Sequence, residues 1–353
     1  MMHFYKRSFV TLTLLFICSA LYAQKPIVFS TGGSYGAAGN YVKIYSYHPN
    51  KDTLFVQDSV PGDFSNDVMY DGSNYYLHVG RASGHPAGGD AIYVYDEYSF
   101  NRVDSIQPIN GATQIGYKGD HIIVTRGFGA SSNFVQVYDR TNFLLGPTYN
   151  DDTIGTSVNG LTVRGDSAYV GYTKNDTGHL ATIDLSGSTP SFGTIHKMDT
   201  LSGGVDELIQ DQDEVYALSE RYDASFNFLY AGVSSYDPAS GSYSTDTVDS
   251  RLAKSSYVQN DSVWVGVDSM MSVYEKGSGN FIDLFSADHT DGIFDSSASR
   301  FYFLRTDFAT MGDLLITDGS GTRIDSFSTD ISGEAMGMIS PATVSVGPDK
   351  SVM

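Results

Sequence analysis

Apolar and polar residues alternate along this chain in short runs with a period of two, the spacing of half-buried β-strands. Ala91-Ile92-Tyr93-Val94-Tyr95-Asp96, Phe134-Val135-Gln136-Val137-Tyr138-Asp139 and Leu180-Ala181-Thr182-Ile183-Asp184 are the plainest examples. Each is preceded by a hairpin signal, two β-runs joined by residues that accept positive φ. One hairpin runs from Asp67 to Leu77 across Asp71-Gly72-Ser73, a second from Gln114 to Val124 across Gly119-Asp120, and a third from Gly160 to Val170 across Gly165-Asp166. Weaker copies begin near Asp206, Ser255 and Asp291. The unit recurs about every 45 residues and ends in a fourth strand, such as Arg102–Ile106 or Arg323–Phe327.

Four antiparallel strands in a repeat of that length describe a propeller blade. Six full repeats run from about residue 63 to 330. The segment Pro26–Ser30 reads as a second strand that lacks a first, and Glu334–Ile339 supplies the missing one. The expectation is an all-β, seven-bladed β-propeller over residues 24–340, with four-stranded blades and a ring closed by a C-terminal strand joining the N-terminal blade. A β-sandwich is the alternative, but its strands need not repeat in fours.

The ends read differently. Lys6 and Arg7 precede an apolar run from Phe9 to Ile17, and Leu21-Tyr22-Ala23 precedes Gln24, so residues 1–23 read as an export signal cleaved near Ala23. A lipoprotein reading at Cys18 meets Leu15-Phe16-Ile17, where small residues are wanted. Residues 341–353 form a tail, read either as a loose end or as the start of a truncated Ig-like repeat. Cleavage removes the sole cysteine and moves the net charge from −20 to −22, because Lys6 and Arg7 leave and no acid does. A chain this acidic disfavours nucleic acid and anionic lipid as partners. A secreted or outer-surface protein, monomeric and free of disulfides, is the expectation.

The "VYD" and "SYDP" turns, the hairpin "GDSAYVGY" and the opening "STGGSYGAAGNYVKIYSYHPN" resemble the YVTN/YncE-like propellers, and within them the DUF5074-like exported proteins of Bacteroidetes. The resemblance spans about residues 25–340. It implies a seven-bladed propeller at or outside the cell surface. One branch of that group captures cobalamin for an outer-membrane transporter, which implies a membrane partner protein, while other propellers of this shape are lactonases or lyases. Fold alone does not choose between them.

First strands line the channel of a propeller, so their N-terminal ends mark a mouth. Asn66, Thr113, Asn159, Asp206, Ser255, Asp291 and Glu334 occupy that position, all of them polar. Asp206, Asp291 and Glu334 offer oxygens to a hard cation such as Ca²⁺, or simply solvate the mouth. Second strands end in Arg81, Arg126, Lys174, Arg221 and Arg305, a basic collar suited to an anionic or hydroxylated ligand or to internal ion pairs. Nearby loops carry Tyr35, His85, Phe128, Tyr222, Phe226 and Phe228, which suit a sugar face or a flat cofactor. No cysteine nucleophile or zinc-binding helix is apparent in the expected mature chain. His85 or His289 facing the acidic ring is the one arrangement open to lyase or lactonase chemistry.

The leading reading is an exported non-enzymatic binding protein. Its ligand, a corrinoid or a glycan, lies over the mouth against the collar, Asn66, Asn159 and the aromatic loops. The alternatives are a metal-assisted lactonase or lyase on the acidic ring and a structural or adhesion module that binds a protein.

Overall fold

The computed structural model describes residues 26–338, except 34–39, 83–84, 109–110, 128–132, 151–156, 175–176, 199–203, 212, 224, 226, 249–251, 260–261, 276–277, 308, 310–311 and 332. The expected leader and tail lie outside the described residues.

Seven four-stranded antiparallel sheets form a seven-bladed β-propeller. Blade 1 takes its inner strand, Gly333–Met338, from the far end of the chain and the other three from Ile27–Thr31, Tyr41–His48 and Thr53–Pro61. The inner strands of blades 2 to 7 are Val68–Tyr70, Ala112–Lys118, Ser157–Arg164, Gly204–Gln210, Leu252–Gln259 and Asp291–Asp295. The closing register sets Val28 opposite Gly337 and Ser30 opposite Ala335, as the split repeat at the two ends predicts. No helix among the described residues is long and apolar enough to cross a membrane.

The period-two pattern explains the packing. In the second strand of blade 2, Tyr75, Leu77 and Val79 pack toward blade 1, while Tyr76 packs toward blade 3. Every blade therefore carries two apolar faces, and the core is a ring of seven clusters, each shared by adjacent blades. Outer strands are half in water, which is where Val103, Leu145, Ile282 and Ile324 lie exposed.

Turn chemistry sets the register. The hairpin glycines Gly72, Gly119 and Gly165 have φ of +97°, +55° and +57°, a region that costs an L-residue strain. The aspartate that ends these third strands, as in "VYD" and "ITD", caps the next turn: Asp96 Oδ1 accepts the Ser99 amide at 2.8 Å, Asp139 Oδ1 the Thr141 amide at 2.8 Å, and Asp318 Oδ1 the Ser320 amide at 2.9 Å. That is the physical content of the motif.

Candidate functional site

The site sought in the sequence is the face where inner strands begin and second strands end. Its backbone holds a feature that alternation does not reveal. In six of the seven blades the inner strand carries at least one residue more than its partner at this point, a β-bulge. Asn159, Asp206 and Glu334 are themselves the unpaired residues of their blades. A bulge re-aims the side chains around it, and Asn66 and Thr113 bond to neighbouring blades.

Asn66 Nδ2 donates to the Ala112 carbonyl of the next blade at 2.8 Å, and Thr113 Oγ1 donates to the Val158 carbonyl at 2.8 Å. Asp291 Oδ2 accepts the Met336 amide at 2.8 Å, and its Oδ1 accepts the Gly292 amide at 2.8 Å. Asp67 Oδ2 accepts the Ile115 amide at 2.6 Å. Apart from Gly292 these partners lie one repeat apart, so polar residues of the ring staple the inner strands of blades 2 to 3, 3 to 4 and 7 to 1. Asn159 instead packs backward against Gly127 of blade 3. The side chains of Asp206, Ser255 and Glu334 lie outside the described residues. Among the described residues, no group of three His, Cys, Asp or Glu side chains is arranged to hold a metal ion.

The basic collar divides in two. Arg81 is 6% exposed; its Nε donates to the Pro61 carbonyl at 2.9 Å, Nη1 to Gly89 at 2.5 Å and Nη2 to the Tyr93 hydroxyl at 2.9 Å. Arg126 is 1% exposed, donates to the Asn133 carbonyl at 3.2 Å, and is held below its ordinary pKa by burial. Both guanidiniums are therefore enclosed within the protein. Arg305 forms a two-pronged ion pair with Asp313, through Nε–Oδ1 at 2.8 Å and Nη2–Oδ2, and this pairing raises its pKa. Lys174 and Arg221, neighbours in blades 4 and 5, are half-buried and make no ion pair with a described residue.

The aromatic loops are seen in part, since Tyr35, Phe128 and Phe226 lie outside the described residues. Tyr222 stands edge-on to Phe228, with ring centroids 6.0 Å apart, and its hydroxyl donates to Glu220. The other oxygen of Glu220 accepts the Leu252 amide of the next blade at 2.9 Å. The Asp223–Asn227 turn closes on itself, with Asp223 accepting the Ser225 and Asn227 amides. His85 is held within its own turn, where Nδ1 accepts the Ala87 amide at 3.1 Å.

The pattern reading misses two groups. His78 is wholly buried against Asp90, which accepts the Arg81, Gly111 and Ala112 amides and so ties blade 2 to blade 3. At the mouth end of blade 7, Asp288, His289, Thr290, Arg305, Thr306, Asp307 and Asp313 line a cleft of about 240 Å³. His289 Nδ1 donates to the Ala287 carbonyl, its ring rests 4.6 Å from that of Phe303, and burial lowers its pKa below 6.5. A larger hollow of about 530 Å³ opens on the opposite face, between the inner strands of blades 2, 3 and 4, lined mainly by apolar and backbone groups.

No family model and no curated protein match the chain. Solved structures do. A candidate 6-phosphogluconolactonase from Bacteroides uniformis is 10% identical, with a TM-score of 0.64 over 90% of this chain and 100% of its own. A candidate 6-phosphogluconolactonase from Bacteroides fragilis is 11% identical, with a TM-score of 0.62 over 90% of this chain and 99% of its own. The extracellular domain of a candidate one-component system from B. thetaiotaomicron is 13% identical, with a TM-score of 0.50 over 86% of this chain and 46% of that one. At these identities the likeness establishes the seven-bladed fold alone.

Proposed function

We propose that the chain is an exported binding protein, without catalytic activity, whose ligand lies across the face where the inner strands begin. The observation that carries this reading is the division of the collar. Arg81 and Arg126 are enclosed, whereas Lys174 and Arg221, at the same repeat position in blades 4 and 5, are half-buried and make no ion pair with a described residue. In a chain of net charge −20, half-buried cations that make no ion pair with a described residue favour a ligand that offers oxygens. Tyr222 and Phe228 add an aromatic wall next to Arg221. Both a glycan and a corrinoid meet that description, and the motif resemblance to DUF5074-like exported proteins supports surface capture of such a ligand. It also supports export through residues 1–23 and a membrane partner.

The test is a thermal-shift screen of the chain from Gln24 onward against corrinoids, neutral and acidic glycans and divalent cations. A ligand at a hundredfold excess over its Kd stabilises the folded state by about 2.7 kcal/mol. The shift should vanish in the Lys174→Ala/Arg221→Ala double variant. No shift from any class, with both proteins equally stable, would overturn the reading in favour of a structural role or a protein partner.

A second reading is lactone hydrolysis, favoured by the neutral His289 beside Arg305 in the blade 7 cleft. Turnover of a lactone that His289→Ala abolishes would establish it.

A further inference from the structure

Among the described residues each blade ends at its fourth strand, which leaves seven sheet edges at the rim of the ring. An open edge offers amides and carbonyls to any other chain, and a β-bulge blunts it by twisting the strand away. Six of the outer strands carry that protection, each with one residue more than the strand it pairs with. The extra residue is Val103 in blade 2, Leu284 in blade 6 and Ile324 in blade 7, all pushed out into water. The outer strand of blade 5 has none. Tyr243–Val248 pairs with the third strand residue for residue, from Tyr236 opposite Tyr243 to Ala231 opposite Val248. Hydroxyl bonds of 2.9 Å, Ser234 with Thr245 and Ser235 with Ser244, fix that register on both faces.

The strand's own sequence decides what can pair with this regular edge. A second copy laid antiparallel, about a two-fold axis between Thr245 and Asp246, sets Tyr243 against Val248, Ser244 against Thr247 and Thr245 against Asp246. The first is an aromatic–β-branched pair and the second a pair of hydroxyls, both favourable across strands. Asp246 is the only charged residue of the strand, and the two-fold never places it opposite its own copy. Its carboxylate already accepts the Tyr274 hydroxyl of blade 6. Tyr243 is 44% exposed, so the pairing also covers apolar surface.

We infer that two copies of this chain join edge to edge through the outer strand of blade 5, as a weak two-fold dimer in place of the monomer expected from the sequence. Six residues a side, against the roughly 20–30 of a standard interface, make the contact weak and reversible. The net charge of −20 on each copy opposes association at long range, so salt should strengthen it. Such pairing does not depend on what the mouth face binds.

Sedimentation equilibrium of the chain from Gln24 onward tests it. The average mass should rise toward twice the monomer's with protein concentration. The rise should be larger at ~0.15 M than at ~0.01 M salt, as the Debye length falls from about 30 to about 8 Å. Ser244→Lys/Thr247→Lys sets lysine opposite lysine at two exposed positions, so the mass should stay at the monomer's while the melting temperature changes little. The sole native cysteine, Cys18, precedes Gln24, so Ser244→Cys/Thr247→Cys supplies the only thiols. Opposed residues of an antiparallel pair lie ~4.5–5.5 Å apart, within disulfide reach. Mild oxidation should therefore give a covalent dimer that Ser244→Cys/Val248→Cys does not give. A monomer mass at every concentration and salt, or equal cross-linking of the two cysteine pairs, would overturn the inference. So would a monomer that captures an extended cationic peptide along this edge, which would assign the edge to another partner.

Discussion

Arg81 and Lys174 hold the same position in the repeat and differ in everything that matters physically. Arg81 has three donors on Pro61, Gly89 and Tyr93 in a buried setting, whereas Lys174 is half-buried and has no described acidic partner. Arg81→Ala strands two backbone carbonyls and empties packed volume, so the loss should be about 2–4 kcal/mol. Lys174→Ala should stay within about 0.5 kcal/mol of the parent. Urea unfolding with an unchanged slope and a shifted midpoint for Arg81→Ala alone would bear this out. Equal midpoints would mean that the Arg81 bonds contribute nothing net. Residue type at a repeat position was readable in the sequence, but the direction of its side chain was not. That direction depends on whether a carbonyl such as Gly89 comes within reach, and the loop from Ala82 to Asp90 decides this through turn geometry rather than through apolar patterning.

At the level of the strand and turn, the sequence was most informative where backbone chemistry is local. Gly119 and Gly165 announce hairpins because few other residues take their φ, and the aspartates closing third strands announce the next turn. The bulges of six inner strands are not legible in the sequence, since one or two extra residues leave the alternation on either side intact. Asn66 and Thr113 were legible as a polar ring, but their bonds to Ala112 and Val158 were not. The turn aspartates also predict a pH profile. Amide and hydroxyl donors from Ser99, Ser186, Ser240 and Ser320 favour the ionised forms of Asp96, Asp184, Asp237 and Asp318, lowering each below 3.8. Their contribution is therefore present above pH 3.8 and is lost as pH falls through the lower folded values. Burial likewise lowers His48, His196 and His289 below 6.5, so the unfolded chain takes protons first and stability begins to fall below that pH. Urea midpoints should thus decline in two stages on acidification. Replacing the four aspartates with asparagine keeps an acceptor, removes the titration and should flatten the lower stage only. An unaltered lower stage would assign it to other carboxylates.

The whole ring depends on a pairing between residues about 300 positions apart, Ile27–Thr31 with Gly333–Met338. Without the closing strand, the edge at Val28 and Phe29, both fully buried in the ring, would open to water with a row of unpaired amides and carbonyls. The seam between blades 1 and 2 would also lose Ala335 from its cluster, and the seam between blades 7 and 1 would lose Met336. Asp291 and Thr290 would lose the Met336 amide and the Gly333 carbonyl that they bond across the second seam. Two of seven interfaces weaken at once, and they are the two that flank blade 1. A chain ending at residue 331 should consequently lose its single cooperative transition and self-associate through the exposed edge, whereas one ending at 340 should melt as the longer chain does. Scanning calorimetry with light scattering reads both. Because blade 7 precedes the cut, the 240 Å³ cleft keeps its lining residues in the shorter chain but loses the Gly333 carbonyl that orients Thr290. A 331-residue chain that stayed monomeric with the parent's midpoint would show that the six complete blades hold the ring, and that the terminal strand only covers an edge.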